Sequence, residues 1–272
     1  MHPSGFFDFI HRFCYSFISM KRFDIITIFP SMIDSYAKES ILGRAQKKKL
    51  INIQSHDLRV FTTDKHQKVD DTPYGGGPGM VMKVEPFDRA LGRVIKGNQR
   101  RTKATRGEQR QPEANKRRTR VILTAANGKT FTQADAKRLA KYDQVIFLCG
   151  RYEGIDHRVE EHLVDETFSI GNYVLTGGEL PALVMSDAIA RNIKGVLGKE
   201  ASLEKESHTQ EGYLEYPQYT KPEVYVKKMT KATKGGQRQP KGEWRVPEVL
   251  LSGDHKKIEA WREEQSKKRN DR

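Results

Sequence analysis

Cysteine is nearly absent, with only Cys14 and Cys149 in 272 residues, and that scarcity removes two classes of protein at once. No disulfide framework can form, and no Cys/His spacing suggests zinc; the usage fits a reducing, cytosolic setting. Nucleotide fingerprints are missing as well. No strand-to-helix turn carries the GxGxxG pattern, which argues against an ordinary dinucleotide or Rossmann methyltransferase site. The "NGKT" at 127–130 ends like a P-loop, but Leu123 stands where the loop's first glycine is required. Long apolar runs are lacking too. The first nineteen residues are aromatic yet interrupted by Asp8, His11 and Arg12, so they form neither a signal-peptide core nor a membrane span. They read as a disordered leader, with Met20 as the alternative true start. The alternative is an amphipathic helix touching a membrane surface through Phe6, Phe9, Ile10, Phe13 and Phe17.

Acidic residues are in short supply: 35 Asp and Glu against 49 Lys and Arg give a net charge of +14. The excess is localised. Residues 96–120 hold ten basic residues against Glu108 and Glu113, a net of +8; residues 227–245 hold seven against Glu243, a net of +6. Both segments contain "QRQP" in a low-complexity setting and read as insertions into loops. Clustered charge of this kind suits a polyanion, through release of counterions from phosphates. A solvated basic loop is the equal alternative. Apolar content of 36% beside 31% charged residues is low for a packed chain, so part of it is expected to lie outside the core.

The remainder alternates strands and helices. "FDIITIFP" reads as a strand ending at Pro30, followed by a helix from "SMIDSYAKESILGRAQKKKL" with Ser31 as its N-cap. "LINIQSHDLRVF" reads as a second strand, "DDTPYGGGPGMVM" as a glycine-rich loop, and Glu85 to Ile95 as a helix. "RVILTAANG", "TQADAKRLAKY", "DQVIFLCG" and "IDHRVEEHLV" continue as strand, helix, strand and helix. In "SIGNYVLTGGELP", Ile170, Tyr173, Val174 and Leu175 favour a further strand, stopped by Gly177 and Gly178 before a helix over Glu179 to Ala190. This order implies an α/β domain with a mostly parallel sheet, whose ligands sit beyond the carboxyl ends of the strands. Three such ends carry small or glycine-rich turns: "LTAANG", "LCGRYEG" and "YVLTGGELP". The "YGGGPGM" loop offers backbone amides to a phosphate, or is a glycine-rich linker.

Five motifs in order, "VDDTPYGGGPGMVM", "CGRYEGID", "SIGNYVLTGGELPA", "GVLGKEAS" and "YTKPEV" with "VPEVLLSGDH", resemble the bacterial tRNA (guanine-N1)-methyltransferases, the TrmD type of the SPOUT class. The resemblance runs from Met20 to about Arg262. It implies a deep trefoil knot in a methyltransferase domain spanning 20–197, a linker over 198–214, and a small, mainly helical and shortened tRNA-binding domain over 215–272. It also implies S-adenosylmethionine as methyl donor and guanosine 37 of tRNAs with guanosine at 36 as target. A homodimer, with each site shared between subunits, follows from the same resemblance. By position, Gly150 and Ile170, Gly171, Asn172, Tyr173, Val174 and Leu175 line the cofactor pocket. Tyr152, Glu153, Gly177, Gly178 and Pro181 lie close by, and Thr124 and Ala125 contact adenine by backbone although "LTAANG" departs from the family's usual serine or threonine and proline. The family's reported need for magnesium (Mg2+) suggests an ion near the substrate, but the sequence offers no dedicated ligand cluster.

The chemistry itself follows from guanine. Its N1 carries a proton and is a poor nucleophile until a carboxylate within hydrogen-bond reach removes it, while a cation near O6 stabilises the charge that develops. The resemblance assigns to Arg191 the orienting of the guanine or the stabilising of O6. It places the base at Glu206, where the family has an aspartate; Glu204 is the less favoured stand-in. A chain that keeps the knot and binds RNA and S-adenosylmethionine without turnover is the alternative.

Overall fold

The computed structural model describes residues 20–104, 118–198, 206–210, 212–226 and 242–270, with the side chains of 97–104 excepted. The leader, most of both basic segments and Glu204 lie outside the described residues. The chain divides into two compact units, Met1–Glu200 and Ala201–Arg272.

Five strands of the first unit form one sheet: β1 (Lys21–Thr27), β2 (Ile51–Asp57), β5 (Thr119–Thr130), β6 (Gln144–Cys149) and β7 (Glu166–Ser169), in the order β2-β1-β6-β5-β7. Every pairing in it is parallel. Parallel neighbours need helical crossovers, and these cover both faces, so inner strands lose the polar alternation of a half-exposed strand. "QVIFLC" of β6 is buried throughout. Side chains still alternate between two cores, because successive residues of a strand point to opposite faces. Phe23, Ile25, Val145, Phe147 and Cys149 enter one core, beside Ile33 of α1 (Pro30–Ala37), Leu42 of α2 (Ser40–Lys47), Leu139 of α4 (Gln133–Leu139) and Met185 of α6 (Glu179–Arg191). Ile26, Ile146 and Leu148 enter the other, beside Phe87 and Leu91 of α3 (Val84–Ala104) and Val159 of α5 (His157–Leu163).

Several local expectations are corrected. The first helix starts at Pro30, with Phe29 as N-cap and no side-chain cap, so Ser31 lies inside it; proline at the first helical position needs no hydrogen-bonding N–H and presets φ. The segment 31–50 is two helices, broken where Ser40 adopts φ +46°, and Gly43 packs so closely that a Cβ would lie 2.0 Å from the Lys38 carbonyl oxygen. "LRVF" does not extend β2. Asp57 accepts from the Arg59 amide at 3.0 Å and starts a 3₁₀ turn over Leu58–Phe61. Helix α3 runs past Ile95 into the first basic segment. The strand expected over 170–175 is absent: β7 ends at Ser169 and a loop follows to Gly178.

Short antiparallel strands β3 (Asp70–Asp71) and β4 (Val81–Met82) frame the glycine-rich loop. The second unit contains the antiparallel pair β8 (Val224–Val226) and β9 (Glu243–Arg245), then α7 (Glu248–Leu251) and α8 (His255–Asn270). Within it Tyr219 packs on Trp261, and Arg262 lies 4.8 Å from the centroid of the Tyr216 ring.

Candidate functional site

A cavity of about 480 Å³ opens at the carboxyl ends of β5, β6 and β7. Each strand contributes through the turn that follows it. In β5 the pairing with β7 breaks between Thr124 and Lys129, which both face Phe168, and residues 125–128 are thrown outward. Gly128 permits the return: a Cβ there would lie 2.7 Å from the Phe168 backbone. The turn after β6 places Tyr152 at φ +61° and Gly154 at φ +125°, a left-handed backbone uncommon outside glycine, and the half-exposed Tyr152 lines the cavity. The turn after β7 is shaped by Ser169, whose hydroxyl donates to the Gly171 carbonyl at 2.8 Å and accepts from the Gly171 amide at 3.2 Å.

The cavity gathers Thr124, Ala125, Gly150, Tyr152, Glu153, Ile170, Tyr173, Val174, Leu175, Gly177, Gly178 and Pro181. Of the residues expected at a cofactor pocket, Gly171 and Asn172 are not among its lining. Gly171 instead sets the turn, with φ +156° and a carbonyl that accepts from the Tyr173 amide at 2.9 Å. Of the β-favouring side chains that suggested a strand, Tyr173, Val174 and Leu175 are exposed at the rim, Val174 by 85%, while Ile170 packs against the first core. Gly178 ties two strand ends together: its amide donates to the Gly150 carbonyl at 2.9 Å, and its carbonyl accepts from the buried Thr124 hydroxyl at 3.3 Å.

Sequence reasoning missed Arg151, His157 and Glu160 in the lining. Glu160 accepts from the Thr167 hydroxyl at 2.7 Å and lies 3.4 Å from His157 Nδ1. "IDHRVEEHL" carries this pair three residues apart, the spacing of neighbours on a helix face, yet only the turn before α5 aims that face at the cavity. Glu153 owes its place to the glycine-rich loop. Its amide donates to the Met80 carbonyl at 3.0 Å, and a Cβ on Gly79 would lie 2.5 Å from its side chain. Gly75, Gly76 and Gly77 also have positive φ, with nothing near their missing Cβ positions.

Cys149, at the end of β6, is fully buried, and burial with the nearby Glu179 charge pushes its thiol well above the ordinary range. It is therefore a packing group and not a nucleophile. Arg191 ends α6 in the first unit, and Glu206 lies in the second. Among the described residues no group of three His, Cys, Asp or Glu side chains could hold a metal ion, and no helix is long and apolar enough to cross a membrane.

Chemically, the site offers backbone amides and carbonyls from three turns, apolar surface from Ile170 and Leu175, and the carboxylates of Glu153 and Glu160. That combination suits a small ligand with hydrogen-bonding groups, an apolar part and positive charge. Residues 20–272 match the family model described as tRNA (Guanine-1)-methyltransferase TrmD. The chain is similar to a tRNA (guanine-N(1)-)-methyltransferase of Ruminiclostridium cellulolyticum, 44% identical over 245 residues, covering 90% of this chain and 91% of that one. It is 46% identical over 254 residues to a protein of the same description from Lachnoclostridium phytofermentans, covering 90% and 86%. A third, from Geobacter sulfurreducens, is 44% identical over 245 residues, covering 90% and 86%.

Proposed function

The chain belongs to the tRNA (guanine-1)-methyltransferase TrmD family, and from that premise we propose how its own residues carry the reaction. It is a methyltransferase acting on N1 of guanine in tRNA. The target is guanosine 37, beside the anticodon, in tRNAs with guanosine at 36, and the work is done in the cytosol by a homodimer. The chain around the cavity follows the family's deep trefoil knot.

The reading rests on one observation, the convergence of three strand-end turns on a single cavity of about 480 Å³. Its size falls within the range of pockets that enclose a small ligand, roughly 300–1,000 Å³. The residues fit S-adenosylmethionine: Glu153 and Glu160 present carboxylates to a cationic ligand, and Thr124, Ala125, Ile170 and Tyr173 to Leu175 present backbone and apolar surface to its base. When bound, S-adenosylmethionine supplies an electrophilic methyl group on a positively charged sulfur. Glu206 accepts the proton of guanine N1, which leaves the N1 lone pair free to take the methyl group. Arg191 faces O6 and stabilises the negative charge that gathers there as the proton leaves. The turns at 150–154 and 170–178 would hold the donor, and its alignment with N1 would then carry much of the rate. In the homodimer Glu206 serves the cavity of the partner subunit. Glutamate in place of aspartate adds one methylene, so the backbone at 206 must stand correspondingly farther from N1.

The test is methyl transfer from labelled S-adenosylmethionine to an unmodified tRNA transcript with guanosines at 36 and 37. Wild type should label it, Glu206→Gln should lose on the order of 10²–10⁴-fold in turnover, and replacing guanosine 37 should abolish labelling. Turnover retained by Glu206→Gln would remove Glu206 from the role of base. Absence of transfer by wild type would reject the reading as a whole.

A further inference from the structure

The paired glycines between the loop after β7 and α6 are required by neighbouring atoms and not by φ, since Gly178 has an ordinary φ of −84°. A Cβ on Gly177 would lie 2.2 Å from Nε of Arg151 and 2.6 Å from its Cδ and Cζ; a Cβ on Gly178 would lie 2.0 Å from the Thr124 hydroxyl oxygen and 2.8 Å from Cα of Cys149. Arg151 leaves the end of β6 and passes beneath the loop. Its Nε donates to Oε2 of Glu179 at 2.9 Å, and its Nη1 donates to the Thr176 carbonyl at 3.1 Å. The guanidinium carbon lies 4.7 Å from the centroid of the Phe29 ring, and Nη2 lies 3.4 Å from the Met32 sulfur. Glu179, the first residue of α6, is fully buried and also accepts from the Thr27 hydroxyl at 2.7 Å. One guanidinium thus joins the ends of β1 and β6, the start of α6 and the loop that lines the cavity.

We propose that Arg151 is a positioning residue for the donor pocket: anchored on buried Glu179, it fixes the loop over residues 170–178 before the ligand arrives and thereby sets the affinity for S-adenosylmethionine. The inference rests on the assignment of the cavity to that ligand. The chemistry requires arginine. A planar fork reaches a carboxylate and a carbonyl at once while stacking on a ring, whereas a lysine ammonium is a single compact charge and holds one of these partners at a time. A loop held in its binding conformation spares the ligand the cost of ordering it.

The experiment uses the full chain in wild-type, Arg151→Lys, Gly177→Ala, Arg151→Ala and Arg151→Ala/Gly177→Ala forms. Amide hydrogen exchange is measured without ligand, and KM for S-adenosylmethionine and kcat are measured with tRNA. Arg151→Lys should speed exchange at residues 171–178 while the amides of β1 and β6 keep their protection, and should raise KM for the donor by roughly tenfold with a smaller change in kcat. Gly177→Ala should reproduce the loop effect alone but add nothing in the Arg151→Ala background, because the atoms its Cβ would strike are gone. Unchanged loop exchange in Arg151→Lys, exchange that rises across the whole sheet, or additive effects in the double variant would each overturn the proposal. Failure of wild type to bind S-adenosylmethionine would instead reject the assignment of the cavity, and the exchange data would still decide whether Arg151 holds the loop.

Discussion

Asp24 is a fully buried carboxylate in β1, and its neighbours show how a charge is tolerated there. Arg22 Nη2 donates at 2.7 Å, the Gln144 amide donates at 2.7 Å, and His56 Nε2 lies 2.8 Å away. Burial by itself would raise the Asp24 carboxyl, but hydrogen bonds from His56 and Arg22, with the Arg22 charge, hold it below its usual value of 3.8. A carboxyl depressed on folding contributes stability that is present above the ordinary value and is lost as pH falls through the lower folded value. Asp24→Asn should therefore cost about 3 kcal/mol or more at neutral pH, since it leaves Arg22 and His56 facing a neutral group. The deficit against wild type should shrink below about pH 4, as urea titrations at several pH values would measure; a deficit independent of pH would contradict this account. None of this was legible in the sequence, because Arg22, Asp24, His56 and Gln144 meet only through strand register. Arg151 escaped for a similar reason: its role depends on Glu179, Phe29 and Thr176, which no spacing rule brings together.

At the scale of elements, the sequence was clearest where local chemistry and burial agree. Helix α4 is one such case. Thr132 accepts from the Asp135 amide at 3.3 Å and the Asp135 carboxylate accepts from the Thr132 amide at 3.3 Å, a capping box. At the other end Lys21 of β1 donates to the carbonyls of Leu139 and Ala140, and burial lowers its ammonium to about 8. Thr132→Ala should cost about 1 kcal/mol of stability, read as a lower urea midpoint with an unchanged slope; a loss near zero would mean that Asp135, also held by Arg138 at 3.1 Å, secures the helix start unaided. The segment 170–175 was legible only in part. Tyr, Val and Leu favour strands mainly because strands bury them, but here Tyr173, Val174 and Leu175 remain exposed around a cavity mouth. Their pattern marked the rim of a cavity that looked like a strand. Glycine spacing likewise announced a tight turn at 177–178 without revealing which atoms fill the space.

For the whole molecule, the α/β class and the parallel sheet were readable from the alternation of elements, and the apolar run of "DQVIFLC" correctly suggested a strand buried on both faces. The strand order was not, because it depends on which crossovers skip a neighbour. Charge, in contrast, is a global quantity that a sequence states outright. The net charge of +14 implies that affinity for tRNA falls steeply with added salt. Deleting residues 105–117, which lie between the described ends of α3 and β5, should weaken tRNA binding and flatten its salt dependence while leaving the affinity for S-adenosylmethionine within about twofold, as separate sites predict. Equal salt slopes with and without the segment would show that its charge contacts no phosphate.

The placement of β1 beside β6 carries a consequence for the time order of synthesis. The strand at 21–27 finds one neighbour early, at 51–57, but its other neighbour lies at 144–149, and the cavity is not closed until Pro181 has been made. A ribosome adding about 5–20 residues per second therefore leaves the apolar flank of β1 without its permanent neighbour for several seconds. During that interval α1, α2 and β2 are the early partners available to cover it. Contacts of such long sequence separation also slow refolding of the finished chain, so this enzyme becomes able to receive its donor only when most of its first unit has been translated.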